Sequence, residues 1–260
     1  MSVFKVDSLS TLKAVAFLIV ICSLVSAGAL AGEPTKGVMP LPAEILQKAE
    51  AAIKNAKIVR LTFTREGLHA DAETSPRIHG TAIMSGYERM FIKKFRIDAK
   101  TKKPGEQTTE NLVAGADGDV FYVVDEKTKK VHVDMDPAVM GSIGQTIVFD
   151  LLPTTFVNPD PFEYEKKVEK PEVKGIVKID GEEYYEVQFV FAGGKYATTQ
   201  FFSVKDGLPR RIEWNYKLPT GESGGSRLVI SELTLDYKAP PDVFTPTIPD
   251  GFTRTEEFAP

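Results

Sequence analysis

The sequence predicts a mainly β (α+β) fold: a curled antiparallel half-barrel sheet of ten or eleven strands, covered by an N-terminal helix and a short helical lid. Three observations predict it. Apolar and polar residues alternate with period two over most of the chain. Turn dipeptides recur at hairpin spacing through the C-terminal half. Only three stretches carry a helical period, too few to build a helical core. A sheet this wide tends to curl, and its apolar inner face needs cover.

The first 31 residues stand apart. Lys5 and Lys13 precede an apolar run from Ala14 to Val25, which is short for a membrane span. Ala29-Leu30-Ala31 follows as an A-x-A cleavage site, so the expectation is a signal peptide, residues 1–31, cut after Ala31 for export to the periplasm. Ile21 stands where a lipobox before Cys22 would need a small residue. The cut removes Lys5, Lys13 and Asp7, leaving 30 basic and 35 acidic side chains and a formal charge of −5. That balance gives no electrostatic reason to bind nucleic acid. The cut also removes Cys22, the one cysteine, so stability must come from burial and not from disulfides.

Residues 32–42 read as a flexible linker, and 43–256 as one domain, expected to be a monomer. Ile45, Leu46, Ala49, Ala52, Ile53 and Ala56 recur at helical spacing behind Pro42, which predicts a helix over 43–56. Val59, Leu61 and Phe63 then alternate with Arg60, Thr62 and Thr64 in a first strand. Strands follow at 78–84 and 89–97, joined around Ser85-Gly86, then at 109–115, 119–124 and 130–134. Val139, Ile143, Ile147, Val148, Leu151 and Leu152 restore a helical spacing, ended by Pro153, and supply the lid at 138–152.

Beyond it, Asp180-Gly181, Gly193-Gly194 and Asp206-Gly207 separate a meander of strands at 162–169, 172–179, 183–191, 196–204 and 208–217. Ile212, Trp214, Tyr216 and Leu218 alternate there with Arg211, Glu213, Asn215 and Lys217, giving one dry and one wet face. Thr220 to Ser226 reads as a loop, and 228–237 as a further strand whose apolar phase slips between Ile230 and Leu233, the mark of a bulge. Phe244 and Phe252 of the tail are expected to pack on the sheet.

Catalytic motifs are missing. There is no G-x-S-x-G and no H-E-x-x-H, and Gly193-Gly194-Lys195 continues with Tyr196 where a phosphate loop needs Ser or Thr. The expectation is a protein without enzymatic activity and without a cofactor. His132, Asp134 and Asp136 share one side of a strand and could hold Zn²⁺, but they equally suit the solvated face of that strand. His69, Asp71, Glu73 and His79 form a looser group at a strand end. Asp117 and Asp119 around Gly118 fit a turn better than an acid/base pair. Aromatic and apolar inner-face residues are either core or the lining of a ligand cavity. Phe63, Phe91, Phe95, Tyr122, Phe149, Leu152, Phe189, Phe191, Trp214 and Tyr216 are the candidates for such a lining.

Several motifs carry a family resemblance. They are Glu44-Ile45-Leu46-Gln47-Lys48-Ala49 with the strand from Ile58 to Arg65, and Gly115-Ala116-Asp117-Gly118-Asp119-Val120-Phe121-Tyr122. More specific are Leu208-Pro209-Arg210-Arg211-Ile212 and the ending Asp242-Val243-Phe244-Thr245-Pro246 with Ile248-Pro249-Asp250-Gly251-Phe252. Over residues 43–256 the chain resembles the periplasmic lipoprotein carrier LolA and its wider superfamily, which includes the outer-membrane receptor LolB and RseB-type sensors. The resemblance implies a half-barrel with a helical lid whose apolar cavity takes the acyl chain of a lipid or lipoprotein. It also implies inner- or outer-membrane proteins as partners. An RseB-like sensor or interaction module without lipid cargo is the alternative it leaves open. In the carrier an arginine near the second hairpin turn contacts the lid; here that turn is expected to read Ser85-Gly86-Tyr87, with Arg89 displaced.

Overall fold

A computed structural model describes residues 39–88, 91–134, 151–191 and 193–256, without the side chains at 86–93 and 134. The signal peptide, most of the linker, and residues 138–150 of the expected lid lie outside the described residues.

Helix α1 (Pro42–Asn55) starts where Pro42 fixes the first helical φ, and the Glu44 carboxylate accepts the Leu41 N–H at 2.8 Å. It buries Ile45, Leu46, Ala49 and Ile53 on one stripe, the stripe its periodicity predicts. Each large side chain so removed from water stabilises the fold by about 1.5–3 kcal/mol.

Among the described residues, twelve strands form one curled, open sheet. In chain order they are β1 (Ile58–His69), β2 (Arg77–Glu88), β3 (Phe91–Lys102), β4 (Glu110–Ala116), β5 (Phe121–Asp125), β6 (Lys130–Asp134), β7 (Glu172–Ile179), β8 (Glu182–Val190), β9 (Tyr196–Ser203), β10 (Pro209–Lys217), β11 (Ser223–Leu235) and β12 (Thr253–Thr255). Their order across the sheet is β12-β6-β5-β4-β3-β2-β1-β11-β10-β9-β8-β7. Two antiparallel meanders therefore meet where β1 pairs with β11. Only β12 runs parallel to its neighbour, β6. Among the edges, β7 carries Glu172, Lys174 and Lys178, which discourage pairing with another chain, and β12 is only three residues long.

The expected bulge is present. Thr62 pairs with Glu232 and Phe63 with Ile230, so Ser231 is the extra residue. That insertion returns Ile230 and Leu228 to the face already occupied by Leu233 and Leu235. On that inner face α1 packs with Val59, Leu61 and Phe63 of β1, Phe95 and Ile97 of β3, and Phe189 and Phe202 of the second meander. Tyr122, Val124, Val131 and Val133 form a separate cluster, shared with partly buried Val113, Val120 and Phe252.

The structure corrects several expectations. Residues 162–169 are not a strand: Phe162 has φ 61° and Glu165–Lys167 form a 3-10 turn, which buries Phe162 and Glu165 three residues apart. Pro153 ends the preceding segment but also caps a short helix, α2 (Thr154–Val157). Ser85-Gly86 is not a turn. The ladder continues to the pair Glu88 and Phe91, so the connection falls at residues 89 and 90, outside the described residues. Of the three dipeptides, Asp180-Gly181 alone makes a two-residue turn, with φ 51° and 90°. Gly194 N–H closes on Phe191 O across a longer loop, and Gly207 N–H on Ser203 O across another.

The Gly- and Ser-rich stretch is also strand, from Ser223 onward. Gly224 belongs there because a Cβ would stand 2.6 Å from both the Tyr216 ring and the Asp71 carboxylate. The tail adds β12, too short to show as alternation, and buries Phe244.

Gly115 sits opposite Tyr122 in the β4–β5 ladder, and the Tyr122 ring lies over it. A methyl there would stand 2.7 Å from Tyr122 Cε1. Gly115→Ala is expected to lower stability by about 1–3 kcal/mol, as overpacking does, measured by urea unfolding. Tyr122→Leu in the same background should recover part of that loss.

Candidate functional site

At one end of the inner face the core gives way to a cavity of about 670 Å³. Its walls come from the outer turns of β1, β2 and β4, the segment Leu151 to Thr154, and the ends of β9, β10 and β11. Parity explains the wall: Tyr216 pairs with Tyr196 and Gly224, and Trp214 with Thr198 and Ser226, so these residues face the same side. Leu151 and Leu152 are buried and cover it from above the sheet. Arg65 reaches over the Trp214 ring, 5.5 Å from its centroid, in cation–π geometry.

The rim is pinned by a carboxylate. Asp71, on a 3-10 turn (Ala70–Glu73), accepts the Tyr216 hydroxyl at 2.7 Å and the Gly225 N–H at 2.6 Å. His69 Nε2 lies 3.0 Å from Asn215 Oδ1 beside it. The hydrogen bond to Asp71 raises the Tyr216 phenol above its ordinary range.

Deeper along β9 the inner face turns polar. Thr198 is 2% exposed, Gln200 1%, and Glu165, on the crossing segment (residues 154–171) that leads into β7, 6%. Gln200 Nε2 donates to Glu165 Oε1 at 2.6 Å. Burial pushes the Glu165 carboxyl up from its ordinary value, against the bond from Gln200 and the charge of Lys166. Burial, with Glu165 nearby, pushes Tyr196 up to about 12. The Glu165 segment is tied to α1 on the outside: Lys54 bonds Glu50 and Asp160, and Lys166 bonds the same two carboxylates at 3.2 and 2.7 Å. Surface pairs of this kind contribute up to about 1 kcal/mol each.

Of the residues expected to line a cavity, Leu152, Trp214 and Tyr216 do so. Phe63, Phe95 and Phe189 are filled core beneath α1. Phe191 packs against Tyr196 with tilted rings, 5.1 Å between centroids. Tyr122 belongs to the separate cluster with Val124, Val131 and Val133. Phe149 and the Phe91 side chain lie outside the described residues. Arg65, Leu151 and Tyr196 line the cavity without having been expected; Tyr196 was readable, since it shares phase with Thr198, Gln200 and Phe202.

Among the described residues, no group of three or more His, Cys, Asp or Glu side chains is placed to hold a metal. Asp71 and His69 are engaged at the rim, and His79 Nδ1 lies 3.0 Å from Thr64 Oγ1. His132 lies 3.9 Å from Asp125, while the Asp134 side chain and Asp136 lie outside the described residues. Asp117 Oδ1 accepts the N–H groups of Asp119 and Val120, which makes it the turn residue expected.

Because the folded-state carboxyl of Glu165 lies above its ordinary value, it favours folding below the usual carboxylate range. That contribution is lost as pH rises through the folded value. The stability difference between wild type and Glu165→Gln is therefore expected to shift in favour of the variant as pH rises from about 4.5. Thermal melts from pH 4 to 9 measure it.

No family model matches the sequence, and no curated protein matches it either. Solved structures do resemble the fold. LprF from Mycobacterium bovis is 12% identical, with 80% of this chain and 95% of that chain covered and a TM-score of 0.46. The Mycobacterium tuberculosis lipoprotein LppX is 11% identical over 74% of this chain and 96% of that chain, TM-score 0.44. A LolA superfamily protein from Nitrosomonas europaea is 15% identical over 78% of this chain and 97% of that chain, TM-score 0.37.

Proposed function

We propose that this protein is an exported, periplasmic carrier or binding protein for lipid or lipoprotein acyl chains. The observation that supports this reading is the 670 Å³ cavity, walled by Trp214 and covered by Leu151 and Leu152. Its volume falls in the range of small-molecule sites. The physical need is plain: an acyl chain gains about 0.8 kcal/mol per CH₂ removed from water. A chain crossing an aqueous compartment is therefore stabilised by any apolar enclosure. Loading and release on this reading need only the cover at Leu151 and Leu152 to part from the sheet, with no covalent chemistry and no cofactor. The alternative, an RseB-like module that contacts a membrane protein without cargo, expects a filled core in place of the cavity.

Native mass spectrometry of the mature protein from a periplasmic extract, with lipid analysis of what it releases, tests the reading. Stoichiometric lipid or acylated peptide is expected, and Trp214→Ala should reduce the bound fraction several-fold while the protein stays folded by circular dichroism. A clean apo mass, with no uptake of added lipid, overturns the carrier and favours the interaction module.

A further inference from the structure

The inner face of β1 reads Val59, Leu61, Phe63, Arg65. The first three are buried in the core, and the fourth is a half-buried cation. Its ladder neighbours on that face are apolar, Ile78 of β2 on one side and Leu228 of β11 on the other. Leu or Val at this position would continue the apolar wall, whereas arginine puts a permanent positive charge on it.

Arg65 itself lines the cavity, so a group inside the cavity meets this side chain. It lies over the Trp214 ring, and its charge is felt at the Tyr196 and Tyr216 hydroxyls, which places it among the three aromatic residues of the wall. Among the described residues lining the cavity it is the one Lys, Arg or His. The one acid of the lining, Glu66, belongs by alternation to the opposite face, where Arg77 and Arg227 balance it at 3.7 and 3.4 Å. Asp71, at the rim, is satisfied by Tyr216 and Gly225. An anion entering the cavity therefore meets a positive charge on a wall otherwise made apolar by Ile78, Leu112, Leu151, Leu152 and Pro153.

Resting on the acyl-chain reading above, we infer that Arg65 is the head-group receptor of the cavity and selects an amphiphile that ends in a single carboxylate, a free fatty acid. A guanidinium presents its N–H donors as a planar fork, which matches a carboxylate with two charge-assisted hydrogen bonds. Cation–π attraction to the Trp214 ring holds that fork at the wall. One cation balances one negative charge, and a carboxylate carries one. A phosphate monoester carries about 1.5 to 2 at neutral pH, which leaves charge uncompensated against apolar side chains. The cavity, about 670 Å³, is of the size of a small-molecule site and suits one chain with a small head.

Trp214 is the one tryptophan of the chain and stands on the cavity wall under Arg65, so its fluorescence reports on occupancy. Titration of the delipidated mature protein at about pH 8, where a carboxylate is fully charged, compares dodecanoate, 1-dodecanol and dodecyl phosphate, three head groups on one chain. Calorimetry supplies the affinities a second time, because a change at Arg65 alters the surroundings of Trp214 itself. Dodecanoate is expected to bind about tenfold more tightly than dodecanol, as a charge-assisted hydrogen bond gives, and more tightly than dodecyl phosphate. Arg65→Gln should abolish the preference for dodecanoate and leave dodecanol binding nearly unchanged. Arg65→Lys, which keeps the charge and loses the fork, should retain only part of it. Equal affinity of dodecanoate and dodecanol for the wild type, tighter binding of the phosphate than of the carboxylate, or a preference that survives in Arg65→Gln overturns the receptor and leaves the carrier reading standing. Failure of all three ligands to bind overturns both.

Discussion

The pairing of β1 with β11 is the constraint on which the rest depends. It joins strands some 170 positions apart, Thr62 with Glu232 for example, and turns two local meanders into one continuous surface. Without it neither half has a face wide enough to curl around α1. The single extra residue at Ser231 sets the phase of that seam. Had the ladder run through without it, Ile230 and Leu228 would point outward and the inner face would lose two core side chains beside Phe63.

The cover then determines where the inner face is full and where it is not. Helix α1 lies over the aliphatic middle, and Phe156 and Phe162 of the crossing segment fill the space toward the second meander. Toward the outer ends of β1, β10 and β11 the described residues over the inner face are Leu151 and Leu152, and the cavity lies there. The rim is held by specific bonds, Tyr216 to Asp71 and Gly225 to Asp71.

On the opposite face the sheet carries charge. Arg211 and Arg227 both bond Glu213, Arg227 reaches Glu66, and Arg211 lies over the Phe201 ring. Burial alone would raise the Glu213 carboxyl, but the two arginines hold it below its ordinary value. This stretch of the outer face is built for water, whereas at β4–β6 the same face is apolar, where Tyr122, Val124, Val131 and Val133 pack with Phe252.

Local rules were enough for much of this. Alternation fixed which residues of β1 and β10 share a face, the spacing behind Pro42 fixed the buried stripe of α1, and the slip between Ile230 and Leu233 announced the bulge. Short-range signals failed where long-range contacts override them: Gly224 and Gly225 read as a loop because nothing nearby in sequence reveals the Tyr216 ring and Trp214 carbonyl that demand glycine within a strand. They also failed at 162–169, where alternating aromatics imitate a strand but a positive φ at Phe162 breaks it. The sequence by itself determined the β class, the strand faces and the apolar character of the inner surface, since each follows from residues two to four apart. Only the tertiary structure decided which inner aromatics are core and which line a cavity. Phe63 and Trp214 obey the same alternation, and the difference between them is whether α1 or the edge of the cover lies above.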